Sequence, residues 1–193
     1  METWNVAGKT AVISNSFINL CQTTTQAIVG GRRSTGGILI FTSTPFVSSN
    51  IEILFTCPAN NYVILLISNV VFGIAYIPPS ASHNVLISFL DKTQHLANGR
   101  PMVILGDFNA RSQRLSGDHT TNARGSKLQD YISESPLVVQ TPVQGQFTTF
   151  TQNGSGITDL LITYNIQTFN YTVHEEDSLG GSDHRPLTFD INF

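Results

Sequence analysis

Seven short apolar segments, rich in β-branched residues and separated by turn residues, constrain the fold of this chain more than any other feature. Each is six or seven residues long, which is a typical length for a β-strand and too short for most helices. The last segment alternates apolar and polar residues, which predicts a strand with one buried face. The predicted strands are residues 37–42, 51–56, 62–68, 71–77, 101–107, 158–163 and 187–193.

Two other segments have helical spacing. Residues 82–99 begin with a serine suited to capping and end at Gly99. Residues 126–135 begin at Ser126 as the predicted N-cap and are followed by Pro136. Two helices among seven strands favour an α+β fold in which sheets pack together and helices cover them. An all-β sandwich or a doubly wound parallel sheet fits this pattern less well.

Composition limits the class of protein. With 193 residues, 40% of them hydrophobic and 12% charged, the chain is expected to be one globular domain, 1–193. The net charge of −3 argues against coating nucleic acid through bulk positive charge, while a local basic patch remains compatible with it. Cys21 and Cys57 are too few for a disulfide framework or a thiolate zinc site. The polar start at 1–8 and the interrupted apolar segment 63–77 predict a soluble, non-secreted protein without a transmembrane segment.

Several predicted strands end in polar residues suited to chemistry. Successive side chains of an extended chain point to opposite faces, so Asp107 and Asn109 are predicted to point the same way. Asp159 lies among apolar residues, where an unpaired carboxylate would be costly to bury. Taken singly, each such residue also fits an ordinary structural role, such as a turn aspartate bonded to local backbone. The candidates are Tyr76, Asp107, Asn109, Asp159, Asp183 and His184.

The order of these motifs resembles the endonuclease/exonuclease/phosphatase superfamily. Within it, the chain is most similar to the endonuclease domains of non-LTR retrotransposons, which are relatives of apurinic/apyrimidinic endonucleases. The resemblance implies a four-layer α/β/β/α sandwich of two packed mixed β-sheets flanked by helices. The matching segments are 36-GGILIF-41, 73-GIAYIPPS-80, 103-VILGDFNAR-111, 120-TTNARGSKL-128, 156-GITDLLIT-163 and 181-GSDHRPL-187.

The resemblance also implies catalytic roles. Asp107 would orient or deprotonate the attacking water, and Asn109 would donate a hydrogen bond to the scissile phosphate. Tyr76 would contact the same phosphate through its hydroxyl. His184 would bond a non-bridging oxygen, with Asp159 holding the imidazole in one tautomer and favouring its charged form.

A hard divalent cation, Mg²⁺ or Mn²⁺, is a further implication, since the growing negative charge calls for oxygen-bound metal. In this chain the implied ligands are Asp183 and Asn5, the latter in 4-WNVAG-8, where Ala7 replaces a common Asp or Asn. Family members also use a glutamate in a second motif, and the nearest segment here has Thr23 at that position. The start of the chain is therefore expected to be shortened relative to the family.

Four basic residues lie just beyond the Gly-Asp-Phe-Asn motif and are candidates for a substrate-binding rim. An ordinary solvated loop is an equally good interpretation of them. They are Arg111, Arg114, Arg124 and Lys127.

The function expected from these features is a metal-dependent phosphodiesterase, a DNA-nicking endonuclease of retrotransposon type. Such a protein would be a monomer acting on DNA, intracellular and, in a retrotransposon role, nuclear. Two alternatives stay open. One is a catalytically impaired or silent member that lacks the metal-binding glutamate and acts as a nucleic-acid-binding module or relic; the other is an inositol or lipid phosphatase on the same fold.

Overall fold

A computed structural model describes residues 17–22, 37–43, 51–59, 61–152, 154–174 and 182–192. The strands are β1 (Phe17–Gln22), β2 (Leu39–Ser43), β3 (Ile51–Thr56), β4 (Tyr62–Ile67), β5 (Val70–Tyr76), β6 (Met102–Asp107), β7 (Val138–Gln140), β8 (Thr149–Thr151), β9 (Gly154–Gly156), β10 (Asp159–Tyr164), β11 (Thr168–Val173) and β12 (Leu187–Ile191). The helices are α1 (His83–Ala97), α2 (Gln113–Ser116) and α3 (Ala123–Ser133).

A six-stranded mixed sheet forms the centre of the fold, with strand order β3-β4-β5-β6-β10-β7. Strands β5 and β6 are parallel and are joined by a crossover through α1, as parallel neighbours require. The other neighbours in this sheet are antiparallel. Three antiparallel pairs, β1–β2, β8–β9 and β11–β12, complete the described strands.

The two faces of the central sheet bury different sets of side chains, because strand residues alternate between faces. On one face, α1 and α3 contribute fully buried residues such as Phe89 and Leu128. On the other face, Leu65 packs near Ile40 of β2, and Leu161 packs near β11 and β12. Each fully buried side chain of this size contributes about 1.5–3 kcal/mol relative to exposure. The central sheet is therefore sandwiched between helices and further strands.

The helix boundaries show one wrong prediction. Helix α1 begins as expected, with the hydroxyl of Ser82 accepting from the backbone N–H of Asn84 at 3.3 Å. Helix α3 begins four residues earlier than predicted, because Asn122 is its N-cap in place of Ser126 and accepts from the N–H of Gly125 at 2.7 Å. The N–H of Ser126 bonds the carbonyl of Asn122 at 2.9 Å, so Ser126 lies inside the first turn.

The predicted α+β class is confirmed, and each of the seven predicted strands corresponds to an observed strand. Strand β12 has exposed Thr188 and Asp190 between partly buried apolar residues, as its alternation predicts. Strands β1, β7, β8, β9 and β11 and the single-turn helix α2 were not predicted. Among the described residues, no helix is both long and apolar enough to cross a membrane.

Candidate active site

Three neighbouring strands bring three of the candidate residues into one row. Tyr76 at the end of β5 is in register with Asp107 at the end of β6, and Asp107 is in register with Asp159 at the start of β10. Their neighbours in sequence, such as Leu160, pack toward the helices. By strand alternation the row therefore faces the layer that contains β11 and β12. Sheet register alone thus brings a phenol and two carboxylates to one end of these three strands, which we call the edge that carries the site.

Strand β6 can pack closely against β5 at this edge because residue 106 is glycine. Its φ is +144°, and a Cβ placed there would lie 1.8 Å from the carbonyl oxygen of Ala75. After the strand, Asn109 adopts a left-handed conformation with φ 49°. This turn brings Asn109 back onto Asp107.

Asn109 binds Asp107 at two points. Its backbone N–H donates to Asp107 Oδ1 at 2.9 Å, and its Nδ2 donates to Asp107 Oδ2 at 3.0 Å. The second Nδ2 proton goes to the carbonyl of Ile77 at 3.1 Å. Both amide protons are therefore engaged, and in this geometry Asn109 orients Asp107 and has no free proton for a phosphate. The predicted role of phosphate donor does not match these contacts.

His184 lies beside both carboxylates of this row. Its Nδ1 lies 2.9 Å and 3.1 Å from the two carboxylate oxygens of Asp159. Its Nε2 lies 3.8 Å from Asp107 Oδ2. A β-bridge between Thr149 and His184 holds the backbone of this segment against β8. The hydrogen bond to Asp159 raises the pKa of His184 to about 9 against the opposing effect of burial, and nearby carboxylates add to the increase.

Burial, followed by repulsion from Asp159, raises the pKa of Asp107 to about 7. The hydrogen bond from Asn109 and the positive charge of His184 act in the opposite direction and limit the shift. Near neutral pH the site thus combines a carboxyl group close to half ionisation with a protonated imidazole. A carboxylate that can accept a proton and a cation at this separation suit proton abstraction next to a bound anion.

Three buried threonines that the sequence did not single out support Asp159. The hydroxyl of Thr148 accepts from the backbone N–H groups of Thr158 and Asp159 at 3.1 and 3.2 Å. The Thr158 hydroxyl donates to Asp159 Oδ2 at 3.2 Å and lies 2.6 Å from the hydroxyl of Thr149. Hydroxyls packed against one carboxylate keep it oriented toward the imidazole. Thr158 is the first residue of the predicted strand of Asp159, and no sequence signal singles out Thr148 or Thr149.

Of the two predicted metal ligands, the described part of the chain contains only Asp183. Within it, no group of three His, Cys, Asp or Glu side chains lies close enough to hold a metal ion. Asp183 is exposed beside His184, and its backbone carbonyl accepts from the N–H of Phe150 at 2.7 Å. Asn5 and Thr23 lie outside the described residues. Asp183 therefore remains a predicted ligand, and it belongs to no group of three such side chains among these residues.

The prediction of a substrate-binding rim is wrong for Arg124, which is buried, and Arg111 is engaged in contacts within the fold. Arg124 is only 4% exposed, and its guanidinium donates to backbone carbonyls. Arg111 forms an ion pair with buried Asp118 at 2.8 Å and also donates to a carbonyl of β9. Arg114 and Lys127 are exposed, and no contact in the described part of the chain assigns them to the site.

A surface of aromatic and basic side chains, also missed from the sequence, borders the site. Phe150 is 38% exposed and follows Thr149, the bridge partner of His184. The guanidinium of Arg185 lies 3.8 Å from the centre of the Phe150 ring. Phe147 makes an edge contact with Phe150 and lies 4.5 Å from the ring of His119. We call these four residues, His119, Phe147, Phe150 and Arg185, the aromatic surface.

Comparison with known proteins gives a family match and several similar structures. The family described as "Endonuclease-reverse transcriptase" matches residues 70–188. The endonuclease domain of TRAS1, a telomere-specific non-LTR retrotransposon, has a TM-score of 0.68 at 18% identity over 92% of this chain and 79% of that one. The 3′-5′ exonuclease NExo from Neisseria meningitidis has a TM-score of 0.61 at 13% identity, covering 92% of this chain and 80% of its own.

The catalytic domain of Xenopus laevis APE2 is similar to the same extent, with a TM-score of 0.59 at 14% identity over 93% of this chain and 76% of that one. At these identities the structural matches show a shared fold. The search of curated proteins found no match.

Proposed function

Since the chain belongs to the endonuclease/exonuclease/phosphatase superfamily, we propose that it is a phosphodiesterase that nicks DNA, as an endonuclease of retrotransposon type. The observation that carries this proposal is the pairing of Asp107 with His184, 3.8 Å apart, at the edge of the sheet. One group accepts a proton near neutral pH, and the other is a cation. Phosphodiester hydrolysis needs both.

In the proposed reaction a water oxygen attacks phosphorus while Asp107 accepts the water proton. The Nδ1 of His184 is taken by Asp159, so only Nε2–H is available to donate to a non-bridging oxygen. The bond between phosphorus and the leaving oxygen then breaks, and the leaving oxygen takes a proton from solvent water. Asn109, which bonds both carboxylate oxygens of Asp107, keeps this base in one orientation.

The proposal includes dependence on Mg²⁺ or Mn²⁺. A divalent cation would supply positive charge near the leaving oxygen. Asp183 is the predicted ligand among the described residues, and Mg²⁺ is usually held by one or two carboxylates together with waters and substrate phosphate oxygens. The metal requirement is tested by the nicking assay with and without each cation.

The aromatic surface supports a nucleic-acid substrate over an inositol or lipid phosphate. Aromatic side chains beside a phosphate site suit nucleobase stacking, which contributes about 1–3 kcal/mol per base. Phe150 is 38% exposed and follows Thr149, the bridge partner of His184, so an exposed ring lies on the strand that adjoins the site. An inositol ring offers no π-face for this contact. DNA is therefore the proposed partner.

A second candidate is a catalytically silent member that binds nucleic acid without cutting it. The observation that favours it is the residue at position 23, where threonine stands in the segment that most resembles the family's glutamate motif. A threonine hydroxyl lacks the charge with which a carboxylate holds a hard cation.

A plasmid-nicking assay with and without Mg²⁺ or Mn²⁺ separates the two candidates. We expect the wild type to convert supercoiled plasmid to the nicked form, and Asp107→Asn and His184→Gln to lose at least about 100-fold in rate. Asp130→Asn and His95→Gln change the same residue types at exposed helical positions and serve as matched controls. Nicking that persists in both site variants would overturn the proposal. Binding of DNA without nicking at any metal concentration would favour the silent candidate.

A further inference from the structure

We propose that Arg124 is a positioning residue that holds together the strand ends carrying Tyr76 and Asp107, an inference that rests on the proposed function. It was expected at a substrate-facing rim, but it lies in the interior, beneath the loop that follows β5. Its side chain touches none of the candidate catalytic side chains at hydrogen-bond distance among the described residues. Arg124 can therefore act on catalysis through the backbone that it bonds, in addition to its Coulombic attraction to Asp107.

The guanidinium of Arg124 joins two segments that are far apart in sequence. Its Nη1 donates to the carbonyl of Ile77, next to Tyr76, at 3.1 Å and to the carbonyl of Phe108, next to Asp107, at 2.9 Å. The Ile77 carbonyl also accepts from Asn109 Nδ2. One oxygen thus receives donors from both the arginine and the residue that orients Asp107. Displacement of this carbonyl would disturb the Asn109–Asp107 contact directly.

The second half of the guanidinium binds the loop after β5. Its Nη2 donates to the carbonyls of Pro78, Pro79 and Ala81 at 3.0, 3.4 and 2.6 Å. Two consecutive prolines have no N–H and cannot pair with neighbouring carbonyls as an ordinary loop does. The N–H of Ala81 donates to the carbonyl of Pro78 at 2.9 Å, and Arg124 adds donors to this carbonyl and to those of Pro79 and Ala81. The loop conformation, and with it the end of β5, therefore depends on this side chain.

The burial of Arg124 is difficult to explain by stability alone. No carboxylate of the described residues forms an ion pair with it, and its Nε has no hydrogen-bond partner there. It also lies in the first turn of α3, where the helix dipole disfavours a cation. A buried charge without an ion-pair partner usually costs more than an apolar residue of similar volume, and the Coulombic attraction to Asp107 recovers only part of that cost. The hydrogen bonds to several carbonyls offset this cost. All of these carbonyls lie in the loop after β5 or directly after β6, beside the site.

The first turn of α3 is built to bring Arg124 to this position. Asn122 donates from Nδ2 to the carbonyl of Asn109 at 3.0 Å, and its Oδ1 accepts from the N–H of Arg111 at 3.3 Å. Residue 125 is glycine, and a Cβ there would lie 1.7 Å from the carbonyl oxygen of Arg111. The close approach lets the helix start directly against the turn that follows Asp107.

The test compares Arg124→Lys and Arg124→Gln with Leu128→Ala, a core truncation one turn later in the same helix. Leu128 is fully buried and contacts the core, so its loss lowers stability without removing a bond to the site edge. We expect kcat for plasmid nicking to fall about tenfold in Arg124→Lys and about 100-fold in Arg124→Gln, with KM changed less than about threefold. Leu128→Ala should lower Tm while keeping kcat within about twofold.

A second measurement does not require activity. The backbone N–H of Ile77 donates to the carbonyl of Asp107 at 2.8 Å, so its hydrogen exchange reports whether the two strand ends stay together. We expect this amide to exchange at least about tenfold faster in Arg124→Lys than in Leu128→Ala compared at equal global stability. If Arg124→Gln fails to fold, Arg124→Lys, which keeps the charge and three donors, is sufficient for the comparison.

The outcomes separate the two proposals. A wild type that does not cleave would refute the proposed function, and the exchange rate of the Ile77 amide would still decide the role of Arg124. Equal exchange rates in Arg124→Lys and Leu128→Ala would overturn the inference. So would a kcat that falls equally in these two variants at matched stability.

Discussion

Replacing Asp159 by asparagine tests the electrostatic core of the candidate site. Asparagine has the same shape but no charge, so it removes the main cause of the raised His184 pKa. In the wild type the hydrogen bond to Asp159 raises that pKa to about 9, against burial, which lowers it. In Asp159→Asn we expect the pKa of His184 to fall by about two units, toward its ordinary value of 6.5.

The corresponding free energy can be bounded. A shift of about two units corresponds to about 3 kcal/mol. The His184 side chain is 33% exposed, so solvent screening reduces the effect to about 1–2 kcal/mol. His184 binds its proton more tightly in the folded protein than in the unfolded chain. The stabilisation is therefore fully present below about pH 6.5, and it is lost as the pH rises from there through about 9.

Two measurements in the presence of EDTA test this reasoning. The ring protons of the five histidines can be titrated by NMR, with His184→Gln assigning the relevant signal. Urea unfolding at pH 6 and pH 10 should show Asp159→Asn less stable than wild type by about 1–2 kcal/mol at the lower pH and nearly equal at the higher. A His184 pKa that stays near 9 in Asp159→Asn would refute the assigned cause. An equal loss of stability at both pH values would show that the effect is packing rather than charge.

Three further predictions follow from the same structure. Gly106→Ala should lower the free energy of unfolding in urea by about 3 kcal/mol or more, because its Cβ meets a backbone carbonyl. Gly99→Ala, with φ +82° and no atom within 4 Å of the added Cβ, should lower it by about 1–2 kcal/mol. Similar losses in the two variants would contradict the close approach at Gly106. Asp118 is a buried carboxylate that accepts hydrogen bonds from Arg111 and from two backbone N–H groups, and these outweigh the effect of burial and lower its pKa. Asp118→Asn should therefore lower the free energy of unfolding by about 2–4 kcal/mol at neutral pH. This difference should shrink as the pH falls below about 4, and a constant difference would argue against the ion pair. Because the proposed base must be ionised, the nicking rate should rise with pH through the Asp107 pKa of about 7, and a rate independent of pH from 6 to 8 would remove Asp107 from that role.

The proximity of Asp107 and Asn109 was predicted from the sequence, but its structural cause was not. Strand alternation predicted that the two side chains would point the same way. The structure does bring them together, but for a different reason. Asn109 lies beyond the strand in a left-handed conformation, and its amide folds back onto the carboxylate. Periodicity applies only where the backbone is extended, and the strand had already ended at Asp107.

Arg124 could not be located from the sequence. Arginine in a polar segment is usually exposed, so an external rim was the natural expectation. Its burial follows from the start of α3 at Ala123, three residues before the predicted cap. Both Asn122 and Ser126 are good N-cap residues, and local propensity does not choose between them. The choice depends on contacts with Asn109 and Arg111, which only the folded chain provides.

The pairing of His184 with Asp159 is a long-range contact between residues 25 positions apart in sequence. Spacing and composition carry no information on such a contact, and only the resemblance to a family implied it. Strands β8 and β9, which hold this region, are three residues long and consist of threonine, phenylalanine, glycine and serine. Segments this short carry too few residues to show a period.

Packing of the central sheet explains why two carboxylates remain side by side despite their repulsion. Asp159 pairs with Asp107, and a slip of β10 by one residue would turn Asp159 toward the helices and Leu160 toward the site. Leu160 is buried against the helical face and Leu161 against the opposite layer, so the slip would misplace both. Apolar burial on both faces therefore imposes the juxtaposition, and its electrostatic cost is the repulsion from Asp159, which adds to burial in raising the pKa of Asp107. The protonated imidazole of His184 offsets part of that cost, which is why the site is expected to lose its organisation when either the imidazole or the register is changed.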